Sequence, residues 1–213
     1  MKQLLIPGIA WNNPKAEELS LQFDNLAIPF CRIDIINWEA YPYCPEVLFR
    51  IAHNGEAILL NFRINESDIK AVCNRDNGRI WEDSCVEFFI SFSKESYYNI
   101  ECNCIGKLLI AVGSGKEIRV PLPEALLKNI GRWSSLGNSP IENHSGDWEV
   151  SLVIPKEIFH QEMIKTFKSV KARGNFYKCG DCLQIPHFLS WNPIQCDTPN
   201  FHRPDFFGQL LFE

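Results

Sequence analysis

The sequence predicts an all-β protein, an antiparallel β-sandwich of jelly-roll-like or immunoglobulin-like kind with one or two short helices in its loops. Three observations carry this expectation. Short runs of five to eight residues alternate between apolar and polar side chains, the signature of strands with one buried face. Gly, Asn, Asp and Pro punctuate those runs at close intervals. Helical periodicity is scarce. The clearest unit is a hairpin in which Val47–Ile51 and Ala57–Ile64 flank the turn His53-Asn54-Gly55. Phe49 and Ile51 alternate with Arg50, and Ile58, Leu60, Phe62 and Ile64 alternate with Asn61 and Arg63. Further strands are predicted at 30–35, 85–92, 98–104, 107–112, 117–120, 148–154, 172–178 and 207–212. Pro123 to Ile130 is suited to two helical turns, with Pro at its start and Gly131 at its end. Pro155 to Phe167 offers a second helix. Residues 131–146, rich in Ser, Asn and Gly, read as a surface loop.

Composition bounds the function. The 213 residues are 46% hydrophobic and 22% charged, an ordinary globular balance that suits one domain over 1–213. A net charge of −5 and the lack of any basic run argue against a nucleic-acid partner, which requires a positive stripe to displace counterions from phosphates. The N-terminal segment meets Pro7 and Gly8 before an apolar run reaches signal-peptide or membrane-span length, so neither a signal peptide nor a membrane partner is expected. The odd count of nine cysteines is unlike a disulfide framework and favours free thiols in a reducing compartment such as the cytoplasm. Cys179-Gly-Asp-Cys182, followed by His187, Cys196 and His202, has zinc-like content, but no second C-x-x-C accompanies it.

The most informative stretch is Trp81-Glu-Asp-Ser-Cys-Val-Glu-Phe-Phe-Ile90. Val86, Phe88 and Ile90 share one strand face, and Cys85, Glu87 and Phe89 share the other. Residues 97–103 alternate again, with Tyr97, Asn99, Glu101 and Asn103 on one side. If the two strands pair through the loop at 93–96, Glu87, Glu101, Asn99 and Asn103 occupy one sheet face. Such a row is either the wet side of an amphipathic sheet or a site for a hydroxyl-rich ligand, because carboxylates accept from hydroxyls and amides do both. Between Arg173 and Phe207 the periodicity fails, and Asn175, Tyr177, His187, Trp191, His202 and Arg203 are set among prolines. Long ordered loops of this type often carry function.

These segments, together with Arg173-Gly-Asn-Phe-Tyr-Lys-Cys-Gly-Asp181, Pro186-His-Phe-Leu-Ser-Trp191 and the ending at 201–212, resemble the family 9 carbohydrate-binding modules, especially bacterial family 9-like proteins that stand alone. The resemblance implies a β-sandwich that binds an oligosaccharide or monosaccharide between two tryptophans without catalysing a reaction. It places Trp81 and Glu87 in the site directly, Trp191 as the second plate, and Glu101 and Asn103 at polar strand positions. With Asn99 and Tyr177, the candidate ligand-binding set is Trp81, Glu87, Asn99, Glu101, Asn103, Tyr177 and Trp191. Some members of the family hold structural calcium; Asp24, Asp34 and Asp83 are available, but no D-x-D-x-D-G cluster is present, so no cofactor is expected. Two readings compete: a glycoside hydrolase using Glu87 and Glu101, and a metal protein built on Cys179, Cys182, Cys196 and a histidine.

Overall fold

A computed structural model describes all residues from Met1 to Glu213. In chain order the strands are β1 (Gln3–Ile6), β2 (Cys31–Arg32), β3 (Ile35–Ile36), β4 (Glu46–His53), β5 (Ala57–Ala71), β6 (Cys85–Ser91) and β7 (Tyr97–Asn103). After them come β8 (Leu108–Gly115), β9 (Ile118–Pro121), β10 (Gly131–Ser134), β11 (Ile141–Pro155), β12 (Lys171–Cys179), β13 (Phe188–Ser190) and β14 (Gly208–Phe212). Two short α-helices, α1 (Leu19–Asn25) and α2 (Glu124–Leu127), complete the regular structure with a few 3-10 turns.

The strands form a sandwich of two sheets. The larger runs β1-β14-β12-β6-β7-β8-β9, with β13 and β3 added beside β12; the smaller runs β10-β11-β5-β4-β2. Pairing is antiparallel except where β1 lies parallel to β14. The apolar alternation explains the layering. Val86, Phe88 and Ile90 of β6, with Tyr98, Ile100 and Cys102 of β7, face Phe49, Leu60, Phe62, Val150 and Leu152 of the smaller sheet in the main core. Phe49 stacks on Phe176 at 3.9 Å between centroids, and Phe176 on Phe88 at 4.7 Å, so three rings bridge the sheets.

One buried ionic group interrupts this core. Lys178, on the inner face of β12, directs its Nζ to Glu66 Oε2 at 2.8 Å, His187 Nε2 at 2.8 Å and the Cys179 carbonyl at 2.9 Å. Glu66 Oε1 accepts from Trp148 Nε1 at 2.7 Å. An ammonium with three acceptors is tolerable without water, since each N–H has a partner.

Several expectations are corrected. Residues 131–146 are not simply a loop: β10 and the start of β11 lie within them, and β10 pairs with the later part of β11 through Trp133↔Ser151 and neighbouring positions. The strand expected at 30–35 is two short ones, and the helix expected from Pro155 reduces to a 3-10 turn at Lys156–Phe159. Helix α1 was not anticipated; Leu19 and Phe23 dock with Ala52, Leu59 and Val153 on the outer face of the smaller sheet.

Residues 186–207 are irregular because they serve as a roof over the outer face of the larger sheet. Ile194, Phe201 and Phe207 cover Cys85, Phe89, Tyr97 and Tyr177 in a second apolar cluster. Buried amides pin the roof: Asn175 Nδ2 donates to the Asn192 carbonyl at 2.9 Å and Asn175 Oδ1 accepts from Asn192 N at 2.8 Å. Asn192 Nδ2 then donates to the Phe206 carbonyl at 2.7 Å.

Candidate functional site

Beneath this roof the polar row becomes a pocket. Register places Glu87 opposite Glu101 across β6 and β7, with Phe89 opposite Asn99 and Cys85 opposite Asn103. On the other side of β6, Glu87 is opposite Tyr177 of β12. The two glutamates therefore form the floor, and both are almost fully buried. Around them a cavity of about 160 Å³ is lined by Trp81, Lys116, Arg119, Cys179, Asp181, Phe188 and the segment Pro199–His202. An apolar cavity near 150 Å³ accommodates a benzene molecule, so this volume suits one six-membered ring.

Trp81 forms one wall from a 3-10 turn at Ile80–Glu82 and is only partly buried. That turn is fixed by backbone bonds from Asp181 N to the Trp81 carbonyl at 3.2 Å and from Cys182 N to the Glu82 carbonyl at 3.3 Å. The opposing wall belongs to the roof, where Phe201 stacks on Tyr177 at 4.2 Å and 8°. Phe188, at the start of β13, adds a second apolar surface. Aromatic faces are what the C–H face of a pyranose requires, while a hydroxyl rim requires the polar floor.

The polar groups are ordered. Asn99 Nδ2 donates to Glu101 Oε1 at 3.0 Å, and Arg119 Nη1 lies 3.6 Å from the same oxygen. Glu101 Oε2 is buried without a hydrogen-bond partner, as is Asn99 Oδ1. Unpaired acceptors are costly in a dry site, so the oxygen of Glu101, which lines the pocket, calls for a donor from a ligand. Arg119 Nη1 donates to His202 Nε2 at 2.9 Å, which leaves Nδ1 to donate to Tyr97 Oη at 2.8 Å. Burial, then the charges of Arg119 and Lys116, hold the His202 pKa down at about 3, so the ring is neutral. Burial raises the Glu101 pKa to about 7 against the pull of Arg119. Burial and the Glu101 charge push Glu87 well above the ordinary carboxyl range. Asp181, on the rim, is raised by burial to about 6.

The structure gathers only part of the predicted set. Trp81, Glu87 and Glu101 line the pocket. Asn99 sits behind Glu101, and Tyr177 lies under Phe201 with its hydroxyl donating to the Phe201 carbonyl at 3.2 Å. Asn103 shares the face but is spent on structure: its Nδ2 donates to Asp83 at 2.9 Å and to the Cys73 carbonyl at 3.0 Å. Trp191 does not stand opposite Trp81. It lies in the inter-sheet core, edge-on to Phe49 at 6.5 Å and Phe176 at 5.8 Å, on the same inner face as Leu189 two residues before it, whereas Phe188 faces outward. Gly208 leaves room for its ring: a Cβ there would meet Trp191 at 2.5 Å.

The Cys179-x-x-Cys182 pair is also divided, since Cys179 is buried and Cys182 exposed. Of the aspartates considered for calcium, Asp24 pairs with Arg50 and Arg63, and Asp83 accepts from the backbone N–H groups of Val72 and Cys73. Lys116, Arg119, Asp181, Phe188 and Phe201 were not foreseen. For Arg119 a signal existed: it alternates with Ile118 and Val120, whose side chains are exposed on the other face of β9.

The comparisons agree with this architecture. A family model described as carbohydrate-binding family 9 matches residues 17–212. A solved structure from Bacteroides uniformis ATCC 8492, of a protein provisionally named as carbohydrate-binding, is 46% identical with a TM-score of 0.96, covering 100% of this chain and 99% of its own. A family 9 carbohydrate-binding module from Caldicellulosiruptor kristjanssonii, solved with glucose, has a TM-score of 0.62 at 11% identity, covering 100% of this chain and 96% of its own. The same kind of module from that organism solved with cellotriose has a TM-score of 0.60 at 10% identity, with 100% and 94% covered. At such identities these two likenesses show the fold. No curated protein matches the chain.

Proposed function

The chain belongs to carbohydrate-binding family 9, and from that premise we propose that the pocket over Glu87 and Glu101 binds one neutral sugar ring without reacting with it. The observation that carries this reading is the buried, unpartnered Oε2 of Glu101 in a cavity of ring size beside Trp81. A pyranose hydroxyl would donate to that oxygen, and its apolar face would lie against Trp81 or the Phe188 and Phe201 wall. Opposite charges balance on the walls, with Arg119 beside Glu101 and both Lys116 and Asp181 on the rim. This balance favours a neutral ligand over a uronate or an amino sugar.

The same geometry speaks against glycoside hydrolysis. Catalytic carboxyls flank the scissile bond, about 5–9.5 Å apart, and one attacks or activates water while the other protonates the leaving group. Glu87 and Glu101 come from directly opposed positions on neighbouring strands and so approach a ligand together, from below.

Glucose and cellotriose are the natural first probes, because family 9 modules of the same fold were solved with them. Isothermal titration with glucose, galactose, mannose and cellotriose should yield saturable binding for at least one, and Glu101→Gln should weaken it by roughly 10-fold or more, as loss of a charge-assisted hydrogen bond does. Absence of heat and of thermal stabilisation with all four sugars at millimolar concentration would sink the reading.

A further inference from the structure

The buried sulfurs beneath the pocket do not take part in sugar recognition as described, yet they are not scattered. Cys85 of β6 and Cys179 of β12 occupy directly opposed register positions, and Glu87 is two residues along β6 on the same face. The Cys179 thiol donates to Glu87 Oε1 at 3.2 Å. One ligand atom from each of Cys85, Glu87 and Cys179 lies within 4.8 Å of the other two, and all three side chains are buried. Two sulfurs and one carboxylate oxygen converging from two adjacent strands make a donor set, not a surface acidic patch.

We propose that Cys85, Glu87 and Cys179 bind one thiophilic divalent cation, Zn²⁺ by donor preference, with its fourth coordination position open to the pocket. Sulfur and carboxylate ligands at about 2.3 and 2.0–2.2 Å select zinc over calcium or magnesium, which take oxygen alone. A tetrahedron of those bond lengths sets ligand atoms roughly 3.5–3.8 Å apart. The Cys179–Glu87 contact is already near that separation, and the remaining closure is within side-chain rotation. Three protein ligands with one open position are the arrangement of a site that also meets an exogenous ligand. Here Glu87 and Cys179 both line the cavity, so the open position faces it.

The proton balance is explicit. Without a cation the thiols are neutral: burial carries the Cys85 thiol up to about 12 against its hydrogen bond with Cys179, while the hydrogen bond with Cys85, and then burial, carries the Cys179 thiol well above the ordinary range. Binding of Zn²⁺ releases the two thiol protons, and the Glu87 proton where it is held, to solvent, giving a centre of net charge −1. Lys178, whose Nζ donates to the Cys179 carbonyl behind the sulfurs, and Arg119, beside Glu101 at the floor, supply positive charge on either side of it. No redox step is involved.

The test uses the whole chain, reduced and freed of metal with a chelator, and titrates Co²⁺ alone as the spectroscopic probe. One equivalent should produce thiolate-to-cobalt charge-transfer absorption and the visible bands of tetrahedral cobalt, both abolished by one equivalent of Zn²⁺. Cys85→Ser and Cys179→Ser should each weaken cobalt binding by at least about 100-fold, more than an outer-shell change does. Cys182→Ser and Cys196→Ser should leave it unchanged. Thermal melts of the metal-free variants establish that they fold; if Cys85→Ser does not, Cys85→Ala and the rise in wild-type melting temperature with Zn²⁺ take its place. A flat titration of the folded wild type, or absorption that survives Cys85→Ser and vanishes in Cys182→Ser, overturns the proposal. Sugar titration of the metal-free protein is read separately, so failure of sugar binding and failure of this site are distinguishable.

Discussion

Replacing each of the two tryptophans by alanine separates the pocket from the core. Trp191 is 5% exposed and packs edge-on against Phe49 and Phe176, with Gly208 closing the space behind its ring. Removing an indole from such a position forfeits its transfer free energy and leaves a cavity, typically about 3–5 kcal/mol. For a chain of this size each kcal/mol lowers the melting temperature by roughly 2–4 °C, so Trp191→Ala should melt about 6–20 °C below wild type. Sugar affinity of its folded fraction, measured by titration well below the transition, should be unchanged within about twofold. Trp81→Ala should do the reverse. Its ring is partly exposed on the pocket wall, so melting should shift by only a few degrees, while the lost stacking surface weakens sugar binding by about 1–2 kcal/mol, or roughly 5–30-fold. Calorimetric melts paired with titrations of the same preparations measure both quantities. A Trp191→Ala protein that keeps its melting temperature and loses sugar binding would refute the assignment of the two rings.

Lys178→Met should cost about 3–5 kcal/mol, because it leaves Glu66 as an uncompensated buried charge; the double substitution with Glu66→Gln should recover much of that loss in chemical denaturation. His187 should confer acid sensitivity. Burial and the Lys178 charge hold its pKa at about 3, against 6.5 when unfolded. The unfolded chain therefore binds a proton that the native state refuses. The contribution of the neutral ring is complete above pH 6.5 and is lost as pH falls towards 3, a total on the order of 5 kcal/mol. His187→Gln should flatten the pH dependence of denaturation midpoints across that window. Prolonged incubation with aryl glycosides or cello-oligosaccharides should release no product; turnover that disappears in Glu87→Gln would overturn the non-catalytic reading.

The elements that the sequence makes legible are those whose information is local. Alternation at 85–91 and 97–103 and the short connection between them are enough to put Glu87 and Glu101 on one face, and the register confirms it. The hairpin at 46–71 is legible for the same reason. What is not legible depends on partners distant in sequence. Nothing near Glu87 announces that β12 pairs with β6, so the opposition of Cys85 to Cys179 is invisible. The distinction between Trp81 and Trp191 fails similarly. Both are tryptophans outside the regular strands and beside polar residues, and only the pairing of β13 with β12, which turns Leu189 and Trp191 to the inner face, consigns one to the core. Glu87 and Asn99 are dry because the roof covers them, a property of residues 186–207 and not of the strands themselves.

The parallel pairing of β1 with β14 joins Gln3 to Gln209, and β12 lies between β14 and β6. One edge of the larger sheet is thus assembled from segments separated by most of the chain, and its middle from β6 and β12, which are themselves distant in sequence. Loop-closure entropy makes such pairings slow, and they are rewarded only after both ends have arrived. The β4–β5 hairpin, closed by a three-residue turn, has no such delay. In refolding, formation of the β4–β5 hairpin should precede the pocket, and protection of the β12 amides from hydrogen exchange should trail that of β4 and β5. Ligand binding would then report a late kinetic phase, with the first encounter between protein and sugar deferred until β6 and β12, far apart in the chain, have met.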